Sequence, residues 1–153
     1  MKKSNYSIII NAPIGAVFEV VDSDDHVKNW LEGFIENIYE GDFDRENPVG
    51  KKFKQRLKEG NKIQEYNGEI LSYKRPKELG LRLMHSSFTV DVYYRFTSVE
   101  KNQTRLDYEC KLVLHSFLAR SMGFIFNWFS KRMLSKQMDE LKKYAEARFD
   151  GVI

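Results

Sequence analysis

The sequence predicts an α+β fold, a curved antiparallel sheet gripping a long C-terminal helix, and three observations lead there. A strand-like segment runs directly into a proline-opened helix, a long middle tract alternates apolar and polar residues between turn signals, and the C-terminal stretch is proline-free with helical spacing. Strands that follow one another through short turns pair antiparallel, whereas a parallel sheet would need a crossover helix between them.

Each element follows from its local pattern. Tyr6, Ile8 and Ile10 form the better-buried face of a first strand. Pro13 suits the first residue of a helix, where a missing N–H costs nothing, and Val17, Phe18 and Val21 give that helix its apolar stripe. Ser23 is placed to cap a second short helix through Lys28, with Asp24 and Asp25 near its positive end, and Trp30 and Gly33 end it. Residues 34–40 read as a strand, 41–50 as a polar loop and 51–59 as a strand with Lys52, Lys54, Arg56 and Lys58 on one face and Phe53 and Leu57 on the other. Gly60-Asn61 marks a turn, Ile63 to Tyr73 continues the sheet, Arg75-Pro76-Lys77 breaks it, and Leu79, Leu81 and Leu83 resume it. Phe88, Val90, Val92, Tyr94 and Phe96 alternate strictly with polar neighbours. After Lys101-Asn102-Gln103, the residues Leu106, Tyr108, Cys110, Leu112 and Leu114 make the inner face of the partner strand. From about Ser116 to Arg148 the spacing of Leu118, Met122, Ile125, Phe129, Met133, Leu134, Met138, Leu141 and Ala145 predicts one long helix, loosened near Gly123.

Composition narrows the function. The length, 153 residues, fits a single domain over 1–153. Twenty-five basic residues nearly cancel 22 acidic ones, leaving a net charge of +3, so nucleic acid is not an expected partner. A single cysteine excludes an internal disulfide, and no Cys/His group has zinc spacing, so neither a metal nor a cofactor is expected. Three consecutive isoleucines near the N-terminus are too few for a signal peptide, and no apolar run approaches the roughly 20 residues of a membrane span. A soluble protein of the reducing cytoplasm is the expectation.

Asn11-Ala12-Pro13 leading through Val17-Phe18 to Val27-Lys28-Asn29-Trp30 resembles the opening of the START-like, or SRPBCC, superfamily. That group includes the birch-pollen-allergen fold and the polyketide cyclase/dehydrase and lipid-transport proteins. Val49-Gly50, Ile70 followed by Arg75-Pro76-Lys77 and Leu79, Thr104-Arg105-Leu106, and Met138-Asp139-Glu140-Leu141-Lys142 extend the resemblance over nearly the whole chain, with Ser23 where the family more often has Asp. The resemblance implies a helix-grip fold of about seven strands with a ligand cavity between sheet and helix. It implies no particular reaction, because the fold hosts carriers and enzymes alike.

On that geometry the cavity-facing candidates are Trp30, Phe53, Leu57, Tyr66, Ile70, Leu81, Leu83, Val92, Tyr94, Tyr108, Leu112, Met122, Ile125, Phe129 and Met133. Rings and methionines suit an adaptable apolar guest, such as a lipid, isoprenoid, quinone or polyketide-like compound; the plainer reading is that they fill a core. Tyr66, Tyr94 and Tyr108 are the expected polar anchors. A guest would pass the Trp30 to Phe34 region or the start of the long helix. No converging constellation predicts catalysis, and none is assigned; His26 is expected to be exposed, and His85 with Asp91 or Tyr93 is the best candidate pair for proton transfer in a cyclase or dehydratase. Cys110 reads as packing. The basic ladder reads first as a solvated strand face and second as a site for anionic headgroups. The greasy turn Phe124 to Phe129 calls for cover by the sheet rim, a homodimer partner or a membrane surface. An interaction module without a functional cavity is the remaining alternative.

Overall fold

A computed structural model of the chain describes residues 2–115 and 130–152. The described residues form β1 (Lys2–Ile10), α1 (Ile14–Asp22), α2 (Asp24–Val27), β2 (Phe34–Tyr39), β3 (Lys52–Glu59), β4 (Lys62–Lys74), β5 (Glu78–His85), β6 (Phe88–Glu100), β7 (Gln103–Leu114) and α3 (Lys131–Phe149). The seven strands make one antiparallel sheet in the order β1-β7-β6-β5-β4-β3-β2. Strands β2 to β7 follow one another as neighbours, so local turns set most of the register, while β1 pairs with the last strand. Irregularities between Phe34 and Glu36, between Ile70 and Ser72, and between Ser98 and Glu100 shift the pairing, and such shifts bend and twist a sheet.

Two departures from the sequence reading concern helix ends. Pro13 is the residue before α1 rather than its first, in extended conformation, and Ser23 sits at the cap of α2 without lending its side chain. The third concerns the C-terminal helix. Ser130 is extended, and its Oγ accepts from the N–H of Met133, so α3 starts at Lys131 and the helix does not run unbroken from Ser116. A side-chain oxygen satisfying an orphan N–H fixes that start, a local signal that apolar periodicity does not carry. The remainder of the expected helix, with Met122, Gly123, Ile125 and the Phe124 to Phe129 turn, lies outside the described residues.

The core lies between the sheet's inner face and α1 and α3. Leu134, Met138, Leu141 and Ala145 are the buried stripe of α3, and Ile10, Val17, Val20, Val90 and Leu106 meet them or each other at nearly zero exposure. Truncating a fully buried Leu or Met there would cost about 2–5 kcal/mol. Phe18 stands edge-on to both Tyr73 and Phe96, at 5.6 and 5.3 Å between centroids. Polar contacts tie α3 down: Lys142 Nζ donates to the Ile9 carbonyl at 2.8 Å and the Asn11 N–H donates to Glu146 at 2.9 Å. Gly33 turns the chain from α2 into β2 at φ +82°, and its carbonyl accepts from the Lys58 N–H at 2.7 Å. A Cβ there would sit 2.4 Å from the Lys58 carbonyl oxygen, so only glycine allows this approach.

Candidate functional site

Among the described residues, two hollows lie where the sheet and α3 do not pack flush. The inner one, about 80 Å³, is walled by Trp30, Phe53, Ile70, Leu79, Leu81, Leu83, Val92, Tyr94 and Tyr108, with Asp22, Asp24, Asn37, Tyr39, Arg45, Gln55 and Tyr73 at its polar end. The outer one, about 280 Å³, opens between the end of β3 and the first turns of α3 and is lined by Trp30, Leu57, Lys58, Met133, Lys136, Gln137 and their neighbours. Trp30 and Gln137 line both hollows, so they form the shared wall.

The expected pocket residues divide accordingly. Trp30, Phe53, Ile70, Leu81, Leu83, Val92, Tyr94 and Tyr108 face the inner hollow, and Leu57 and Met133 face the outer. Tyr66 and Leu112 are buried but line neither. Met122, Ile125 and Phe129 lie outside the described residues.

The three expected anchors differ in what their hydroxyls do. Tyr66 donates to Glu59 at 2.6 Å and is committed to that carboxylate. Tyr108 is buried edge-on against Tyr94, and that burial raises its pKa well above that of an ordinary tyrosine. Tyr94 is 7% exposed, stands edge-on to Trp30 and Tyr108, and its hydroxyl has no hydrogen-bond partner among the described residues. Tyr94 is among the residues that line the inner hollow. Burial raises its pKa too, and it remains a neutral donor and acceptor. Trp30 is held in place by its indole N–H, which donates to the buried Val20 carbonyl at 3.0 Å.

The polar end is not foreseen by the sequence reading. Asp24 accepts from Asn37 Nδ2 at 2.9 Å and from the Tyr39 hydroxyl at 2.8 Å, and Asn37 Oδ1 accepts from Gln55 Nε2 at 3.2 Å. Burial raises the Asp24 pKa, against the opposing pull of the Tyr39 and Asn37 hydrogen bonds and the Arg45 charge. Beside this chain, Tyr73 donates to Asp22 at 2.8 Å, and Phe43 stacks on Tyr39 at 4.2 Å to roof it. The sequence carries a signal for one member: Gln55 has the same strand parity as Phe53 and Leu57, which places an amide on the apolar face. For Asp24 the sequence shows only a favourable place at a helix start, and Asn37 and Tyr39 need the β2–β3 pairing to reach it.

The other candidates for chemistry are occupied elsewhere. Asp91 is clasped by Arg82 through two bonds of 2.7 and 3.0 Å, and His85 Nδ1 accepts from the Ser87 N–H while its ring stacks on Phe88, so the expected His85–Asp91 pair does not form. His26 is half-buried, bonded to Tyr144 at 2.8 Å, rather than exposed. Burial pushes the Cys110 thiol up to about 12, which suits packing. On the basic ladder, Lys54 and Arg56 pair with Glu65 and Glu36 at 3.6 and 3.5 Å. No cluster of metal-ligating side chains occurs among the described residues, and none of their helices is long and apolar enough to cross a membrane.

Residues 1–146 match the family described as polyketide cyclase/dehydrase and lipid transport. The chain belongs to that family. Comparison with curated proteins finds none that matches. Among solved structures, this member of the polyketide cyclase/dehydrase and lipid-transport family is similar to the Zhui aromatase/cyclase from Streptomyces sp. R1128, at 12% identity and a TM-score of 0.74 over 96% of this chain and 94% of that one. It is similar to a protein from Thermus thermophilus (11% identity, TM-score 0.71, 96% and 99% covered). A third likeness is to norcoclaurine synthase from Thalictrum flavum, solved with dopamine and hydroxybenzaldehyde (10% identity, TM-score 0.64, 93% and 84% covered). Similarity at these identities establishes the shared helix-grip fold of the family.

Proposed function

We propose that this family member binds a hydrophobic small molecule, of the lipid, isoprenoid, quinone or polyketide-like kind, between the concave sheet and the C-terminal helix. The observation that carries this reading is Tyr94, a buried tyrosine on the inner hollow, set among apolar walls, whose hydroxyl has no hydrogen-bond partner among the described residues. A hydroxyl left without a partner in a dry interior costs about 1–3 kcal/mol, and a guest oxygen would remove that cost. The inner hollow is smaller than the about 300 Å³ at which ligand sites begin, so a full-sized guest must also use the outer hollow, past Trp30 and Gln137. Apolar burial at about 25 cal/mol per Å² drives uptake. Native mass spectrometry of freshly purified protein, followed by extraction into organic solvent, tests the reading. A co-purified apolar compound supports it; an empty protein that also ignores fluorescent fatty-acid and quinone probes overturns it.

A second reading, an enzyme of the cyclase or dehydratase type on a similar guest, is favoured by Asp24, a cavity carboxylate hydrogen-bonded to Tyr39 and Asn37 with a raised pKa. Conversion of the extracted compound by wild type but not by Asp24→Asn, with its binding retained, would distinguish this reading from simple capture. The narrow inner hollow alone would suit a module that binds only through its surface, but the polar side chains turned inward at Tyr94 and Gln55 argue against that.

A further inference from the structure

Gln55 is a buried side chain that a merely filled core would not select. It is 6% exposed, stands between Phe53 and Leu57 on the inner face of β3, and lines the inner hollow. Its two ends can be told apart by following the hydrogen bonds from Asp24. An ionised carboxylate only accepts, so Asn37 must turn its amino group to Asp24 and its Oδ1 to Gln55. Gln55 then has to present its amino group to Asn37, and its Oε1 is left over. Among the described residues that oxygen has no hydrogen-bond partner, and Gln55 lines the inner hollow.

The same reasoning applies to Asp24, whose two oxygens each receive one bond and each keep a lone pair. Asp24 and Gln55 therefore present acceptor oxygens at the polar end of the hollow, which the Arg45 guanidinium also lines. Phe53, Leu83 and Ile70 form apolar walls around it. Tyr94 lies three strands away on the same concave face, roughly 14 Å along a flat sheet, so it serves the far end of a guest rather than this one.

We propose that the Gln55 amide oxygen, backed by Asp24, is a recognition subsite for the hydroxyl group of an aromatic or aliphatic guest, selecting phenols and alcohols over hydrocarbons of the same shape. This rests on the reading that the hollow takes an apolar small molecule, and it adds the chemical group by which the guest is chosen. An oil-like pocket prefers a methyl group to a hydroxyl, because the hydroxyl must shed its water. A pocket with a waiting acceptor reverses that order, since the methyl group leaves the acceptor unpaired.

The test uses p-cresol and p-xylene, which differ only in hydroxyl against methyl and whose single rings suit the small hollow. Affinities are measured by chemical-shift titration of the full chain. Wild type is expected to bind p-cresol about tenfold more tightly than p-xylene, a factor worth about 1.4 kcal/mol. Gln55→Leu is expected to bring p-xylene level with p-cresol or ahead of it, with shifts at the same residues; Gln55→Glu, which keeps an acceptor oxygen, should retain the preference for p-cresol. Should Gln55→Leu fail to give a cooperative melt, the wild-type order and Gln55→Glu decide the matter. Binding of both compounds with p-xylene equal or tighter in wild type overturns the subsite and leaves the cavity reading standing. Binding of neither compound overturns both.

Discussion

Trp30 is the wall between the two hollows, and Trp30→Ala should convert two spaces into one. Its ring is 5% exposed, so truncation removes nearly a whole indole from the core and leaves the Val20 carbonyl without its 3.0 Å donor. Changes of that kind cost about 3–5 kcal/mol, which for a domain of this size lowers Tm by roughly 6–20 °C. The lost ring also joins the inner 80 Å³ to the outer 280 Å³, lifting the continuous space into the range of sites that hold drug-sized molecules. The variant should therefore bind N-phenyl-1-naphthylamine more tightly than wild type does, read by the rise in probe fluorescence. At a probe concentration one hundred times Kd, binding should return about 2.7 kcal/mol of stability, or roughly 5–11 °C of Tm. Trp30→Phe, which keeps the wall but loses the donor, should melt lower than wild type without gaining affinity. A Trp30→Ala protein that melts cooperatively yet binds the probe no better than wild type would refute the idea that this residue partitions a ligand space.

Three further outcomes follow from the packing. Gly68 leaves room for the Phe53 ring, which an added Cβ would meet at 2.4 Å, so Gly68→Ala should cost about 1–3 kcal/mol by calorimetry and, by pushing that ring toward the inner hollow, weaken p-cresol binding. Gly33→Ala combines φ +82° with a Cβ 2.4 Å from the Lys58 carbonyl and should lower the denaturant midpoint, with the loss of β2–β3 pairing visible in amide exchange. Cys110 and Tyr73 are both held, chiefly by burial, up to about 12, above their ordinary 9.0 and 10.0. A raised folded-state value contributes stability that is intact below pH 9 and is lost as pH climbs through 12, so urea midpoints should fall across that window, and at pH 8 a thiol reagent should label Cys110 only as fast as the chain opens.

The strand pattern is legible because period-two burial is written into single strands: Phe88 to Phe96 and Leu106 to Leu112 take the faces their alternation assigns. The α3 stripe is legible for the same reason at period 3.6, but its start is not, because Ser130 acts through one local bond that periodicity does not register. Most of the apolar cavity wall follows from strand parity, whereas Tyr66 faces inward at a place where Glu59, seven residues earlier, takes up its hydroxyl. The polar end is illegible for a different reason. Asp24, Asn37 and Gln55 come from three elements, and only the β2–β3 register, with Asn37 opposite Gln55, brings their side chains into one chain of hydrogen bonds.

The pairing of β1 with β7 has a consequence for how the protein is made. Ile8 faces Leu106, so the first strand emerges from the ribosome roughly a hundred residues before its partner, which at typical translation speeds is about 5–20 s. Throughout that interval Tyr6, Ile8 and Ile10 form a sticky ribbon with no edge to join, while the hairpins from β2 onward can already close behind it. Nascent chains of this protein should thus present their N-terminal segment to chaperones as the last part of the sheet to find shelter.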